Sequence, residues 1–167
     1  MSEAFQTAHT STLSGGMCWL GQGGEENDKN KSLDDVSTFG KKPKRALIVE
    51  DEIFIALHLE TLLQDLGLEM CEIVATGREA LDIAVANEPD VIFMDINLRG
   101  NMDGVEATRL IREKVELPII FVTAYGDEAT LKRVSAVAPD APVLQKPASA
   151  AALVAAISTA IRSTGRL

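Results

Sequence analysis

The chain has 167 residues, 46% of them hydrophobic, with 25 acidic against 16 basic side chains and a net charge of −9. That length holds one domain of ordinary size plus a tail, with enough apolar residues for a core. The acidic balance argues against a free-standing nucleic-acid binder, since phosphate contacts need clustered Lys and Arg, and no direct nucleic-acid contact is expected.

Only Cys18 and Cys71 are present, which supports neither a disulfide framework nor a zinc site, so a reducing, cytoplasmic location is expected. Met1 to Phe5 lacks a positive region followed by an apolar core. With no apolar stretch of spanning length, membrane insertion is not expected either.

Residues 1–44 are rich in Gly, Ser, Thr, Asn, Asp and Lys and show no helical or strand period, so they read as a disordered or loosely ordered N-terminal extension. Met17-Cys18-Trp19-Leu20, with the single Trp, is either a short docking motif or a chance apolar patch. Lys41-Lys42-Pro43-Lys44-Arg45 reads as a solvated linker.

From Arg45 onward apolar strand-like and amphipathic helix-like segments alternate, the pattern of repeated βαβ units. Ala46-Leu47-Ile48-Val49 is the first strand, ending on Glu50-Asp51-Glu52. Ile55, Leu59, Leu62, Leu63 and Leu66 then recur at helical spacing until Gly67 stops the helix. Met70 to Ala75 is a weaker, edge-like second strand, and Gly77 to Asn87 a second helix with Ala80, Leu81, Ala84 and Val85 on one face. Val91-Ile92-Phe93-Met94-Asp95 is the third strand, apolar until its terminal carboxylate, as a strand buried on both faces would be. A third helix starts near Asp103-Gly104. Pro118 to Thr123 forms the fourth strand, Gly126-Asp127-Glu128 begins a fourth helix reaching about Ala138, and Pro142 to Gln145 is the fifth strand. Lys146-Pro147 follows, and an Ala-rich helix from about Ser149 to Arg162 closes the pattern.

Open α/β sheets gather their functional groups at the carboxyl ends of the strands. Glu50, Asp51, Asp95, Thr123 and Lys146, which follow the first, third, fourth and fifth strands, should therefore share one rim. Singly, each has a plainer reading: an acidic helix cap, a turn-forming Asp, a strand-end Thr, an exposed Lys. Together they form a chemistry. Three crowded carboxylates need a cation among them, and oxygen-only ligands favour Mg²⁺. A carboxylate is a competent nucleophile toward phosphorus when a metal and a second cation, here Lys146, offset the charge. With the Thr123 hydroxyl available to a phosphoryl oxygen, the set describes an aspartyl-phosphate site on Asp95.

The motifs Leu47-Ile48-Val49-Glu50-Asp51-Glu52, Ile92-Phe93-Met94-Asp95, Met102-Asp103-Gly104, Phe121-Val122-Thr123-Ala124 and Gln145-Lys146-Pro147 resemble the receiver domain of two-component response regulators. The resemblance covers residues 45 to about 163, and the receiver domain is assigned to 45–167. It implies an α/β flavodoxin-like (βα)5 three-layer sandwich with parallel strand order 2-1-3-4-5, an order the chemotaxis receiver is commonly used to illustrate. It implies a sensor histidine kinase or a histidine phosphotransfer protein as phosphodonor, and a downstream protein target. It also implies Mg²⁺ held directly by Asp51, Asp95 and the backbone carbonyl of Asn97, and by Glu50 through water, with Thr123 and Lys146 holding the phosphoryl group. A homodimer through the face of the fourth helix, fifth strand and fifth helix is a further expectation.

Three departures from the family pattern stand out. The switch aromatic usual three residues before the Lys is Val143, and Tyr125, the single Tyr, is the candidate substitute. The loop after Asp95 carries Arg99 where many receivers have Pro, and it is one residue longer than in the chemotaxis receivers. No output domain follows the last helix as the sequence stands, so a single-domain regulator, not an enzyme, is expected. Its Ala-rich closing helix, with Ala150, Ala151, Ala155 and Ala156, offers a shallow apolar docking surface or simply favours helix. His58, at the flank of the first helix's apolar face, is read as an ordinary residue at the edge of that face in preference to a phosphorelay histidine. The alternatives are a phosphorylation-independent adaptor on the same fold and a Mg²⁺-dependent phosphohydrolase, which would place its nucleophile after the first strand with a second Asp two residues on.

Overall fold

The computed structural model describes residues 45–124 and 126–165. The N-terminal extension, with its Met17 to Leu20 motif, and Tyr125 lie outside the described residues. The elements alternate throughout: β1 (Arg45–Val49), α1 (Ile53–Asp65), β2 (Glu69–Val74), α2 (Gly77–Asn87), β3 (Val91–Met94), α3 (Gly104–Arg112), β4 (Ile119–Thr123), α4 (Glu128–Val137), β5 (Val143–Gln145) and α5 (Ala150–Ser163). All strand pairings are parallel. The sheet order is β2-β1-β3-β4-β5, the flavodoxin-like order expected from the sequence.

The continuous apolar runs follow from burial on both faces of a parallel sheet. Ala46, Ile48, Phe93, Ile120 and Val122 face α1 and α5, packing against Ala56, Leu59, Leu63, Leu153 and Ile157. Their neighbours Leu47, Val49, Ile92, Met94, Ile119 and Phe121 face α2, α3 and α4, against Ala80, Leu81, Ala107, Ile111 and Val134. The strands thus sit between two helical layers, each closing one apolar core. β2 is the edge strand anticipated for Met70 to Ala75, only partly buried, and its register with β1 shifts between Ala46 and Leu47.

Helix boundaries are set by local caps. Thr76 and Glu79 form a reciprocal capping box at α2, a Thr-x-x-Glu signal visible in the sequence that the periodicity reading passed over. Asp103, Asp127 and Ser149 cap α3, α4 and α5 by accepting from the backbone N–H three residues on. Of the two readings of the Ala-rich α5, burial favours the plainer one: Ala156 is buried in the core and Ala155 exposed, because the helix turns its Ala residues to both faces, so the four alanines do not form one docking surface.

Candidate functional site

The strand ends bring Glu50, Asp51, Asp95, Thr123 and Lys146 to one rim of the sheet. Three of them are positioned by main-chain hydrogen bonds that extend the parallel ladder one step beyond the strands. Glu50 N–H donates to Val74 O, Asp95 N–H to Val49 O and Lys146 N–H to Thr123 O, each at 2.9 Å. The apolar run ends the third strand on Asp95, whereas the structure places Asp95 one residue beyond β3, still held by the ladder. The following Lys146–Pro147 peptide is cis.

The site is largely removed from water. Glu50, Asp95 and Thr123 are 4%, 5% and 1% exposed. Lys146 Nζ lies 2.5 Å from Glu50 Oε2 and 3.0 Å from Asp95 Oδ2. The other oxygen of Asp95, Oδ1, accepts from Asn97 N–H at 3.3 Å, and Glu50 Oε1 accepts from Glu52 N–H at 3.3 Å. Asp51, in contrast, turns to the loop, where its Oδ2 pairs with Arg99 Nε at 2.7 Å. Nothing in the sequence pointed to that contact.

Burial pushes the Glu50 carboxyl above its ordinary value, with the Asp95 charge adding to the rise and Lys146 only partly offsetting it. Burial works against the Lys146 ammonium too, but hydrogen bonds to Glu50 and Asp95 outweigh it and raise its pKa. Lys146 is therefore a fixed cation.

One oxygen from each of Glu50, Asp51 and Asp95 lies within 4.8 Å of the others. A set of three hard anionic oxygens so close together fits a hard divalent cation such as Mg²⁺ in chemistry and spacing.

The loop from Asp95 to Gly104 is pinned at both ends. Ile96 and Leu98 are buried in the core on the α2, α3 and α4 side, and Gly104 N–H donates to Ile96 O at 3.0 Å. Asp103, the α3 cap, also pairs with Arg133 of α4 at 2.6 Å. Burial opposes ionisation of Asp103, but the cap hydrogen bond from Glu106 N–H and the Arg133 guanidinium hold its carboxyl below the usual range.

Val143, at the usual place of the switch aromatic, is half-buried in the edge strand β5 opposite Phe121 of β4. Tyr125, the candidate substitute, is not among the described residues. His58 is exposed on α1 and, with Phe54, Ile55, Leu62, Pro147 and Ala148, lines an apolar groove of about 380 Å³ that reaches Lys146. Phe54 is 85% exposed. The sequence reading missed this groove, because the apolar spacing of α1 pointed only to the buried stripe.

Residues 46–158 match the family model of the response regulator receiver domain. Among curated proteins, the transcriptional regulatory protein PdtaR of Mycobacterium tuberculosis is 33% identical over 119 residues, 71% of this chain and 57% of that protein. The phyllosphere-induced regulator PhyR of Methylorubrum extorquens is 38% identical over 82 residues, 48% of this chain and 31% of that one. The matched part of the chain thus spans little more than half of the first relative's length, and less of the second. Among solved structures, the signal receiver domain of a modulated diguanylate cyclase from Desulfovibrio desulfuricans has a TM-score of 0.69 at 34% identity. That match covers 75% of this chain and 98% of the other. With the five parallel strands, the rim of acidic residues and these likenesses together, the chain belongs to the response regulator receiver domain family of two-component systems.

Proposed function

We propose that Asp95 accepts a phosphoryl group from a sensor histidine kinase or a histidine phosphotransfer protein, and that the phosphorylated chain signals through changed protein–protein contacts. The observation that carries this reading is the placement of Lys146 Nζ 3.0 Å from Asp95 Oδ2, with oxygens of Glu50 and Asp51 gathered within 4.8 Å of Asp95.

In the reaction a carboxylate oxygen of Asp95 attacks phosphorus, an O–P bond forms, and the P–N bond to the donor imidazole breaks as that ring leaves and takes up a proton. Lys146 stays protonated and follows the charge onto a phosphoryl oxygen. The Thr123 hydroxyl lies at the adjacent strand end, where it donates to another oxygen. Asp51, Asp95 and the carbonyl of Asn97 would hold Mg²⁺ directly, with Glu50 acting through water; when bound, the ion offsets negative charge on the phosphoryl oxygens.

The apolar groove along α1 opens onto Lys146, so a donor domain seated there would bring its imidazole to the rim. Output runs to a downstream protein target or to a second copy through the α4, β5 and α5 face. With Val143 in the switch position, Thr123 and Tyr125 are the candidates to relay the state of Asp95. The acidic chain, in whose described residues no helix is long and apolar enough to cross a membrane, would do this in the cytoplasm. The chain is in this reading a phosphoacceptor, with no turnover of an external substrate.

Incubation with Mg²⁺ and acetyl phosphate followed by intact-mass measurement tests the reading. The mass rises by one phosphoryl group in the wild type and does not in Asp95→Asn. An unchanged wild-type mass would instead favour the phosphorylation-independent adaptor.

A further inference from the structure

The Arg99–Asp51 ion pair divides the acidic cluster in two. Lys146 serves Glu50 and Asp95, and among the described residues Arg99 is the cation that meets Asp51, at 2.7 Å. The root of Arg99 is fixed, since the preceding Leu98 is buried and the following Gly100 takes φ +107°, a conformation that an L side chain would resist. Its head lies in solvent: the Arg99 side chain is 80% exposed, against 9% for Asp51.

Three carboxylates and Lys146 leave two negative charges, and the guanidinium reduces this to one. A divalent cation in its place reduces it to zero. A guanidinium at hydrogen-bond distance already neutralises the Asp51 carboxylate and repels a second cation brought to the same group, so the two compete for it. Holding a long, exposed side chain in one geometry costs conformational entropy that offsets part of the attraction, so this pair yields to a divalent ion at sufficient concentration.

We infer that Arg99 is a tethered internal competitor for the metal site, which holds Asp51 when the divalent ion is scarce and so sets the Mg²⁺ concentration at which the site loads. This rests on the phosphoacceptor reading of the rim and adds its regulation. The element responsible is Arg99, which stands in the place where many receivers are expected to carry Pro and is followed by Gly100 in its positive-φ conformation.

The test is cation affinity of the full chain, measured by calorimetric Mg²⁺ titration and by loss of the free Mn²⁺ electron paramagnetic resonance signal. Arg99→Ala and Arg99→Gln, which remove an exposed side chain and leave the core untouched, should bind about two- to sixfold more tightly than wild type at low salt. Raising KCl to about 0.5 M should shrink the ratio toward one. Arg78→Ala removes the same charge from an exposed pair with Asp82 on α2 and should change affinity little. Equal or weaker binding by the Arg99 variants, or an equal gain in Arg78→Ala, overturns the competitor role while leaving the phosphoacceptor reading intact. Absence of divalent binding in every variant overturns both.

Discussion

A Cβ added to Gly104 would lie 1.9 Å from the carbonyl oxygen of Asp95 and 2.9 Å from its carbonyl carbon. The first residue of α3 and the candidate phosphoacceptor are thus pressed together through their main chains, and no side-chain adjustment can relieve an intruding methyl. Gly104→Ala should cost on the order of 1–3 kcal/mol, read as a lower urea midpoint, and should slow phosphorylation by acetyl phosphate. Gly126→Ala is the control: its Cβ would meet nothing closer than Leu131 at 3.8 Å, so its midpoint should stay near wild type.

Lys146 and Asp95 should respond oppositely to replacement. Lys146→Met strands Glu50 and Asp95 at the rim without their shared cation, and in EDTA it should destabilise by on the order of 2 kcal/mol. Asp95→Asn removes one of three crowded carboxylates and leaves the Lys146–Glu50 pair in place. It should raise the melting temperature by roughly 4 °C, corresponding to about 1 kcal/mol. Thermal melts in EDTA decide both. A fall for Asp95→Asn would mean that the carboxylate is a net structural asset.

Arg112 grips Asp140 with two hydrogen bonds of 2.7 and 2.9 Å, tying the end of α3 to the turn before β5. The guanidinium holds the Asp140 carboxyl below its ordinary value, despite partial burial. A depressed folded-state pKa contributes stability above the unfolded value of about 3.9 and loses it as pH falls through the folded value. Asp140→Asn should therefore be less stable than wild type at pH 7, and the gap should close only in strongly acidic solution, below about pH 4. Urea melts across that range check the sign; a gap that closes near pH 6 would refute it.

Phe54 separates docking from chemistry. Because its side chain is so exposed, Phe54→Ala should leave stability within about 0.5 kcal/mol of wild type. Phosphorylation by acetyl phosphate should be unchanged, since the ring is no part of the rim. Transfer from a phosphorylated histidine protein should slow severalfold, through weaker association. Equal slowing with both donors would place Phe54 in the chemistry and not at a docking surface.

Much of this was legible from residue order alone. Runs such as Val91 to Met94 and Ile119 to Val122 announce strands buried on both faces, and in a parallel sheet the residues that end such runs must share a rim. The Arg99–Asp51 pair was not legible, because it depends on how a loop of irregular backbone folds around Gly100, and no periodicity constrains that path. The groove at Phe54 escaped for a related reason: apolar spacing identifies the face of α1 that is covered and is silent about apolar residues left over. The burial of Ala156 was not legible either, because an Ala-rich helix carries little contrast between its faces, so sequence cannot say which alanines turn inward.

The ladder bonds from Glu50, Asp95 and Lys146 to neighbouring strands make the rim a property of chain register, indifferent to most strand side chains. Apolar replacements within β1, β3 or β4 can alter stability without moving the reactive groups relative to one another. A single-residue insertion or deletion between a strand and its terminal group would do the reverse, sparing the core and breaking the site. Room for divergence therefore lies in the loops beyond the ladder, such as the Asp95–Gly104 segment.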